Sequence, residues 1–166
     1  MTQIIIEDDF LPQDVFDAIL EKSMQGTINH NDTVKRYNFD VDPTPQIAQF
    51  LGKFEKHRGH NDLGRIIHTS GIPPHYQSQR HDEAEFKIMS AIIYLGPEVS
   101  HGTKFYMDEE FEVEWKPNRL MVFCGETGVT WHDYRAGDEE RFTYNYFLVD
   151  PTKVENETYR NTILRL

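Results

Sequence analysis

Apolar and polar positions along this chain follow two different rhythms. After a short β-rich run at residues 3–6, Pro12 leads into a segment where Val15, Phe16, Ile19 and Leu20 recur at helical spacing. This predicts a helix of about a dozen residues. A second helix is predicted where Thr44 acts as N-cap and Pro45 as the first helical residue, with Ile47, Phe50, Leu51 and Phe54 as its apolar stripe. From Arg65 onward the rhythm changes. Strands are predicted at residues 65–69, 87–95, 103–106, 111–115, 119–124, 129–132 and 141–149, with Gly and Pro between most of them. Phe111, Val113 and Trp115 alternate with Glu112 and Glu114, the mark of a sheet with one wet face. The expected fold is mainly β with N-terminal helices (α+β). More specifically, it is a double-stranded β-helix (jelly roll, cupin-like) with helices packed on one sheet. A single domain over 1–166 is expected: strand and helices in 1–64, a jelly-roll core in 65–149 and a tail in 150–166.

Two places break the core pattern. In the stretch RHDEAEFKIMSAIIYLGPE, His81, Asp82, Glu83 and Glu85 sit just before the most hydrophobic strand. On a strand, residues i and i+2 share a face, so His81 and Glu83 can offer a nitrogen and an oxygen to one point while Asp82 points away and Glu85 is solvated. His132, in TGVTWHDYR, is the best third donor. Two histidines and one carboxylate on one side of a metal leave open positions, as in non-haem Fe(II) oxygenases. The second break is RFTYNYF at 141–147. Alternation puts Arg141, Thr143 and Asn145 inward and Phe142, Tyr144 and Tyr146 on an outer face. An inward arginine needs an anion, and its planar fork suits a carboxylate, which makes Arg141 with Thr143 a candidate dicarboxylate anchor. The surface alternative pairs Arg141 with Asp138, Glu139 or Glu140. A rival first ligand, His75, lies in IPPHYQ, where Gln77 stands in the acid's place. His68 and His101 carry no assignment.

Charge and cysteine content narrow the partners. Acidic residues outnumber basic ones 28 to 17, a formal charge of −11. Such a balance repels nucleic acid and anionic membrane, and favours a neutral or basic substrate. The lone cysteine, Cys124, excludes an intrachain disulfide and reads as a small core residue. The first residues show no basic leader, and no apolar run reaches the roughly 20 residues of a membrane span, so a soluble cytoplasmic protein is expected.

Taken in order, the motifs resemble those of the 2-oxoglutarate- and Fe(II)-dependent oxygenases, in the small prolyl-hydroxylase-like group. The residues that carry the resemblance are HDE at 81–83, AIIYL at 91–95, HGTKFY at 101–106, KPNRLMVF at 116–123, WHDYR at 131–135 and RFT at 141–143, behind the opening IIIEDDFLP. The resemblance implies that His81, Glu83 and His132 hold Fe(II). It also implies that Arg141, helped by Thr143, binds the distal carboxylate of 2-oxoglutarate. The implied reaction is an O2-dependent hydroxylation of a small molecule or protein side chain. Three departures stand out: Glu where Asp is the commoner ligand, HGT where GGT is usual, and Arg141 only nine residues after His132. A cupin-like binding or isomerase domain, or a degenerate, non-catalytic member of the family, is the alternative.

Overall fold

The computed structural model describes residues 4–31, 34–38, 49–50 and 64–154. The first elements are β1 (Ile4–Glu7) and α1 (Gln13–Met24). Pro12 opens α1 by accepting the Phe16 amide at 2.9 Å, and Asp14 in the first turn and Lys22 in the last suit the helix dipole. A hairpin of β2 (Thr27–Asn31) and β3 (Val34–Asn38) follows. The remaining strands are β4 (Gly64–Ile72), β5 (Lys87–Gly96), β6 (Thr103–Tyr106), β7 (Glu110–Val113), β8 (Leu120–Cys124), β9 (His132–Tyr134) and β10 (Arg141–Val149). Of the second predicted helix only residues 49–50 are described. They are helical, and Phe50 meets Phe10 edge-on at 5.3 Å. The rest of that helix, and the tail beyond 154, lie outside the described residues. No helix among the described residues is long and apolar enough to cross a membrane.

Five strands form one antiparallel sheet in the order β1-β8-β5-β10-β4, and three form a smaller one, β7-β6-β9. Period-2 alternation sorts the large sheet's side chains. Met89, Ala91, Ile93 and Leu95 of β5 and Leu120 and Val122 of β8 join Phe16 and Ile19 of α1 in the main core. Tyr94, Met121 and Phe123 take the opposite face and pack with Phe105 and Val113 of the small sheet. The result is a mainly β, jelly-roll-like architecture with a helix on one sheet. Burying each large apolar side chain of these two clusters stabilises by about 1.5–3 kcal/mol. Gly102 lets β6 begin where it does, because a Cβ there would lie 1.8 Å from the Val113 carbonyl oxygen.

Four expectations are corrected. First, strand alternation does not govern residues 81–83: residues 82–84 are irregular, and His81 makes only an isolated bridge to His132. The cause is Asp82. Its carboxylate accepts the Glu83 amide at 2.9 Å and also the Gly128 amide, and such local bonds compete with a ladder. Second, β9 starts at His132 rather than at 129, because the Val129 and Thr130 amides both turn back to the Glu126 carbonyl. Third, the face of β10 that carries Phe142, Tyr144 and Tyr146 is no outer face but part of the main core under α1. Fourth, Cys124 is half-buried rather than a core residue. The β2–β3 hairpin was not anticipated.

Candidate functional site

One pocket opens between the pocket-side face of β4, β5 and β10 and the small sheet. His81, Glu83, His132, Arg141 and Thr143 all line it. The structure therefore brings the five predicted site residues together. It does so by a different route from strand alternation within 81–83. His81 is placed opposite His132 by two reciprocal backbone bonds of 2.9 Å, and their rings lie 4.2 Å apart. Glu83 is turned inward by the Asp82 turn and is 5% exposed. Gly125, just after β8, makes room for it: a Cβ there would meet the Lys87 carbonyl oxygen at 2.8 Å and the Glu83 Cβ at 3.1 Å.

The two imidazoles are oriented alike. His81 Nδ1 lies 2.9 Å from the Gln79 carbonyl oxygen and His132 Nδ1 lies 2.8 Å from that of Thr130. A carbonyl only accepts, so each Nδ1 carries the proton and each Nε2 keeps its lone pair. Burial, reinforced by the neighbouring His81, pulls the His132 pKa down, which favours the neutral ligand form. His132 Nε2 then faces Glu83 Oε1 at 3.4 Å. Two acceptors facing each other across that gap are the donor set of a cation site. Ligands at right angles, each about 2.1 Å from a metal, stand about 3 Å apart. The imidazole and carboxylate chemistry thus fits a divalent transition metal. Among the described residues no three such side chains already form a closed metal cluster. Glu83 Oε2 instead accepts the Ser90 hydroxyl at 3.2 Å and pairs with the Lys87 ammonium at 3.4 Å.

Arg141 is 5% exposed and sits among rings, its guanidinium carbon 4.8 Å from the Trp115 centroid and 5.3 Å from those of Tyr94 and Tyr134. Its Nε donates to the His101 carbonyl at 3.2 Å. No carboxylate among the described residues pairs with it, so the surface alternative with Asp138, Glu139 or Glu140 does not hold. Burial pushes its pKa down against the opposing pull of the Tyr94 and Tyr134 hydroxyls. Arginine nevertheless stays charged in proteins. A buried guanidinium faced by aromatic rings fits an anionic ligand with two oxygens. Beyond it on β10, Asn145 donates to Ser70 at 3.0 Å and exchanges hydrogen bonds with Thr143, extending a polar wall.

Comparison with solved structures places this architecture. A prolyl-4-hydroxylase from Pseudomonas putida matches at 20% identity over 88% of this chain and 91% of that one, with a TM-score of 0.66. A prolyl hydroxylase from Trichoplax adhaerens, in complex with a hypoxia inducible factor peptide fragment, matches at 13% identity over 90% and 84%, TM-score 0.69. A viral collagen prolyl hydroxylase from Paramecium Bursaria Chlorella virus-1, in its 2OG complex, matches at 12% identity over 88% and 94%, TM-score 0.64. The chain has the fold of these prolyl hydroxylases. No protein-family model matches the sequence, and no curated protein does.

Other residues take places the sequence did not assign. His75 adopts φ +60° and lies 3.8 Å from Asp138, both well exposed, and it does not line the pocket. Gln77 bridges to Arg135 at the rim of the small sheet. His68 does line the pocket, from the β4 edge. Sequence reasoning missed Lys87, Ser90 and Tyr134. Lys87 carried a signal: it is a cation four residues after the candidate ligand Glu83, at the mouth of an apolar strand. Tyr134 is two residues beyond His132, on the same face of β9, where its ring meets that of His81 at 5.8 Å.

Proposed function

We propose that the chain is a 2-oxoglutarate- and Fe(II)-dependent oxygenase, most simply a hydroxylase, built on a double-stranded β-helix. The observation that carries this reading is the pairing in one pocket of a buried arginine that has no carboxylate partner among the described residues and two imidazoles whose Nδ1 atoms face backbone carbonyls, which leaves each Nε2 a lone pair for a metal. His81, Glu83 and His132 would hold Fe(II), with Nδ1 of each histidine fixed by a backbone carbonyl. Arg141 would take the distal carboxylate of 2-oxoglutarate, with Thr143 beside it. Bound together and supplied with O2, the metal and 2-oxoglutarate would provide oxidative decarboxylation to succinate and CO2 and the oxidant that removes hydrogen from a substrate. The chain's part is to orient these groups and to keep water out with Phe105, Phe123 and Tyr134, whose rings crowd the two histidines.

Anaerobic titration with Fe(II) and 2-oxoglutarate tests this. A weak visible charge-transfer band is expected for the parent chain and not for His81→Ala or His132→Ala. Folded, metal-loaded protein without the band would sink the reading. One observation favours a second reading, a binding domain without turnover: Glu83 already pairs with a cation, Lys87, and the ligands form no closed cluster. In that case the metal would fail to bind at all.

A further inference from the structure

We infer that Lys87 is the anchor for an anionic group on the substrate, so that the molecule oxidised is a small acid carrying a carboxylate or phosphate. This rests on the oxygenase reading and deepens it.

The argument starts from position. On the pocket face of β10, Arg141, Thr143, Asn145 and Phe147 follow one another at two-residue spacing. Arg141 stands at one end. At the other, the Lys87 ammonium lies 3.9 Å from the Phe147 ring centroid. Six residues of strand separate the two backbone positions, ~20 Å. Glu83 offers Oε1 to His132 and Oε2 to the Lys87 ammonium, so Lys87 borders the metal site on the side of the second Glu83 oxygen. Its side chain is 23% exposed, against 3% for Glu83, which puts it at the entrance rather than in the interior. The Phe147 ring and His68 beside it, 5.5 Å apart, provide an aromatic wall next to the cation.

Charge balance points the same way. Of the pocket-lining side chains, Glu83 carries one negative charge and Lys87 and Arg141 one positive charge each. A divalent metal and doubly charged 2-oxoglutarate cancel one another. The loaded pocket keeps one positive charge in excess, enough for one anionic group. A metal bound by Glu83 would take over the countercharge that Lys87 now supplies and so leave the ammonium to pair with a ligand. The acidic exterior suggested a neutral or basic substrate; the pocket's own charge overrides it.

The test uses the full chain loaded with Mn(II) and 2-oxoglutarate, with acetate and inorganic phosphate as probes. Mn(II) relaxes the methyl protons or the phosphorus of an anion held beside it. A saturable relaxation enhancement is expected for at least one probe, and which one responds separates carboxylate from phosphate. In Lys87→Gln the probe's dissociation constant rises roughly fivefold or more, the loss of a hydrogen bond to a charged group, while Lys87→Arg retains it. Mn(II) uptake is followed in parallel by electron paramagnetic resonance. Equal probe affinity in Lys87→Gln, or no saturable enhancement with either probe on the loaded parent, overturns the anchor. Loss of Mn(II) uptake in Lys87→Gln also overturns it, since Lys87 would then be a positioning residue for Glu83. A parent chain that takes up neither Mn(II) nor 2-oxoglutarate defeats the oxygenase reading itself, and the anchor falls with it.

Discussion

Arg141 is held where a charge is costly. Its guanidinium is buried among three rings, and its Nε donates to a neutral carbonyl. Taking a charge out of water without a countercharge costs several kcal/mol, so an apolar replacement of similar length relieves the fold. Arg141→Met is therefore expected to leave the melting temperature of the metal-free chain unchanged or to raise it. The same change should weaken 2-oxoglutarate binding by at least about 30-fold, the cost of removing one member of a buried charged pair. Thermal melts and titration of the visible band check the two halves separately. A large fall in melting temperature would mean the fold, not a ligand, is what holds Arg141. Gly125 works in the opposite sense. Gly125→Ala forces a Cβ against the Lys87 carbonyl and the Glu83 side chain. Overpacking of this kind costs about 1–3 kcal/mol, and here it also displaces a proposed ligand. Denaturant melts should show the loss, and Mn(II) affinity should fall with it, whereas unchanged Mn(II) affinity would argue that Glu83 is not a ligand.

At the scale of elements, the N-terminal strand and helix are tied to the sheet by the turn before β8. Asn118, at φ +61°, accepts the Leu11 amide at 2.9 Å and donates to the Leu11 carbonyl at 2.8 Å. Arg119 grips Asp8 with two nitrogens, Nε at 2.6 Å, while Lys116 adds a third bond at 3.1 Å. The Arg119 guanidinium in particular holds the Asp8 pKa down at about 2. An unfolded Asp titrates near 4. A depressed carboxylate contributes stability above the unfolded value and loses it as pH falls through the folded one. Asp8→Asn should accordingly lower the melting temperature at pH 7, and the difference from the parent should shrink between about pH 4 and about pH 2. A difference independent of pH would mean the charge is irrelevant. Much of this level was legible in the sequence. The α1 stripe and the β5 and β10 runs are strong periodic signals, and the structure has them within a few residues. The β2–β3 hairpin was not, because TINHN and VKRYN show no apolar alternation and their pairing is made by backbone bonds. The alternation applied to 81–83 failed for the reverse reason: period-2 spacing was present, but the Asp82 carboxylate accepts local amides instead of leaving the backbone to a ladder. The convergence of His81, Glu83 and His132 on one pocket was legible from residue type and order. Lys87 was not, because a lysine at a strand's start is ordinary until the fold shows what it faces.

Over the whole molecule, a positive pocket lies inside a chain of net charge −11. These two fields act at different ranges. Lys87 and Arg141 act over a few ångströms and set the stability of a bound anion. The net charge acts over the Debye length, about 10 Å at 0.1 M salt and 30 Å at 0.01 M, and governs encounter. A dianion such as 2-oxoglutarate approaches against that long-range repulsion. Added salt screens the repulsion more than it screens the buried guanidinium, which is shielded from ions by its ring cage. The association rate for 2-oxoglutarate is thus expected to rise, roughly two- to tenfold, between 0.01 and 0.2 M inert salt. The dissociation rate should change less. Stopped-flow measurement of the visible band on Fe(II)-loaded protein under argon gives both rates. An association rate that falls with salt would show that the pocket's positive charge reaches out past the acidic surface and steers its own ligand, and the short-range role given to Arg141 would have to be widened to include capture.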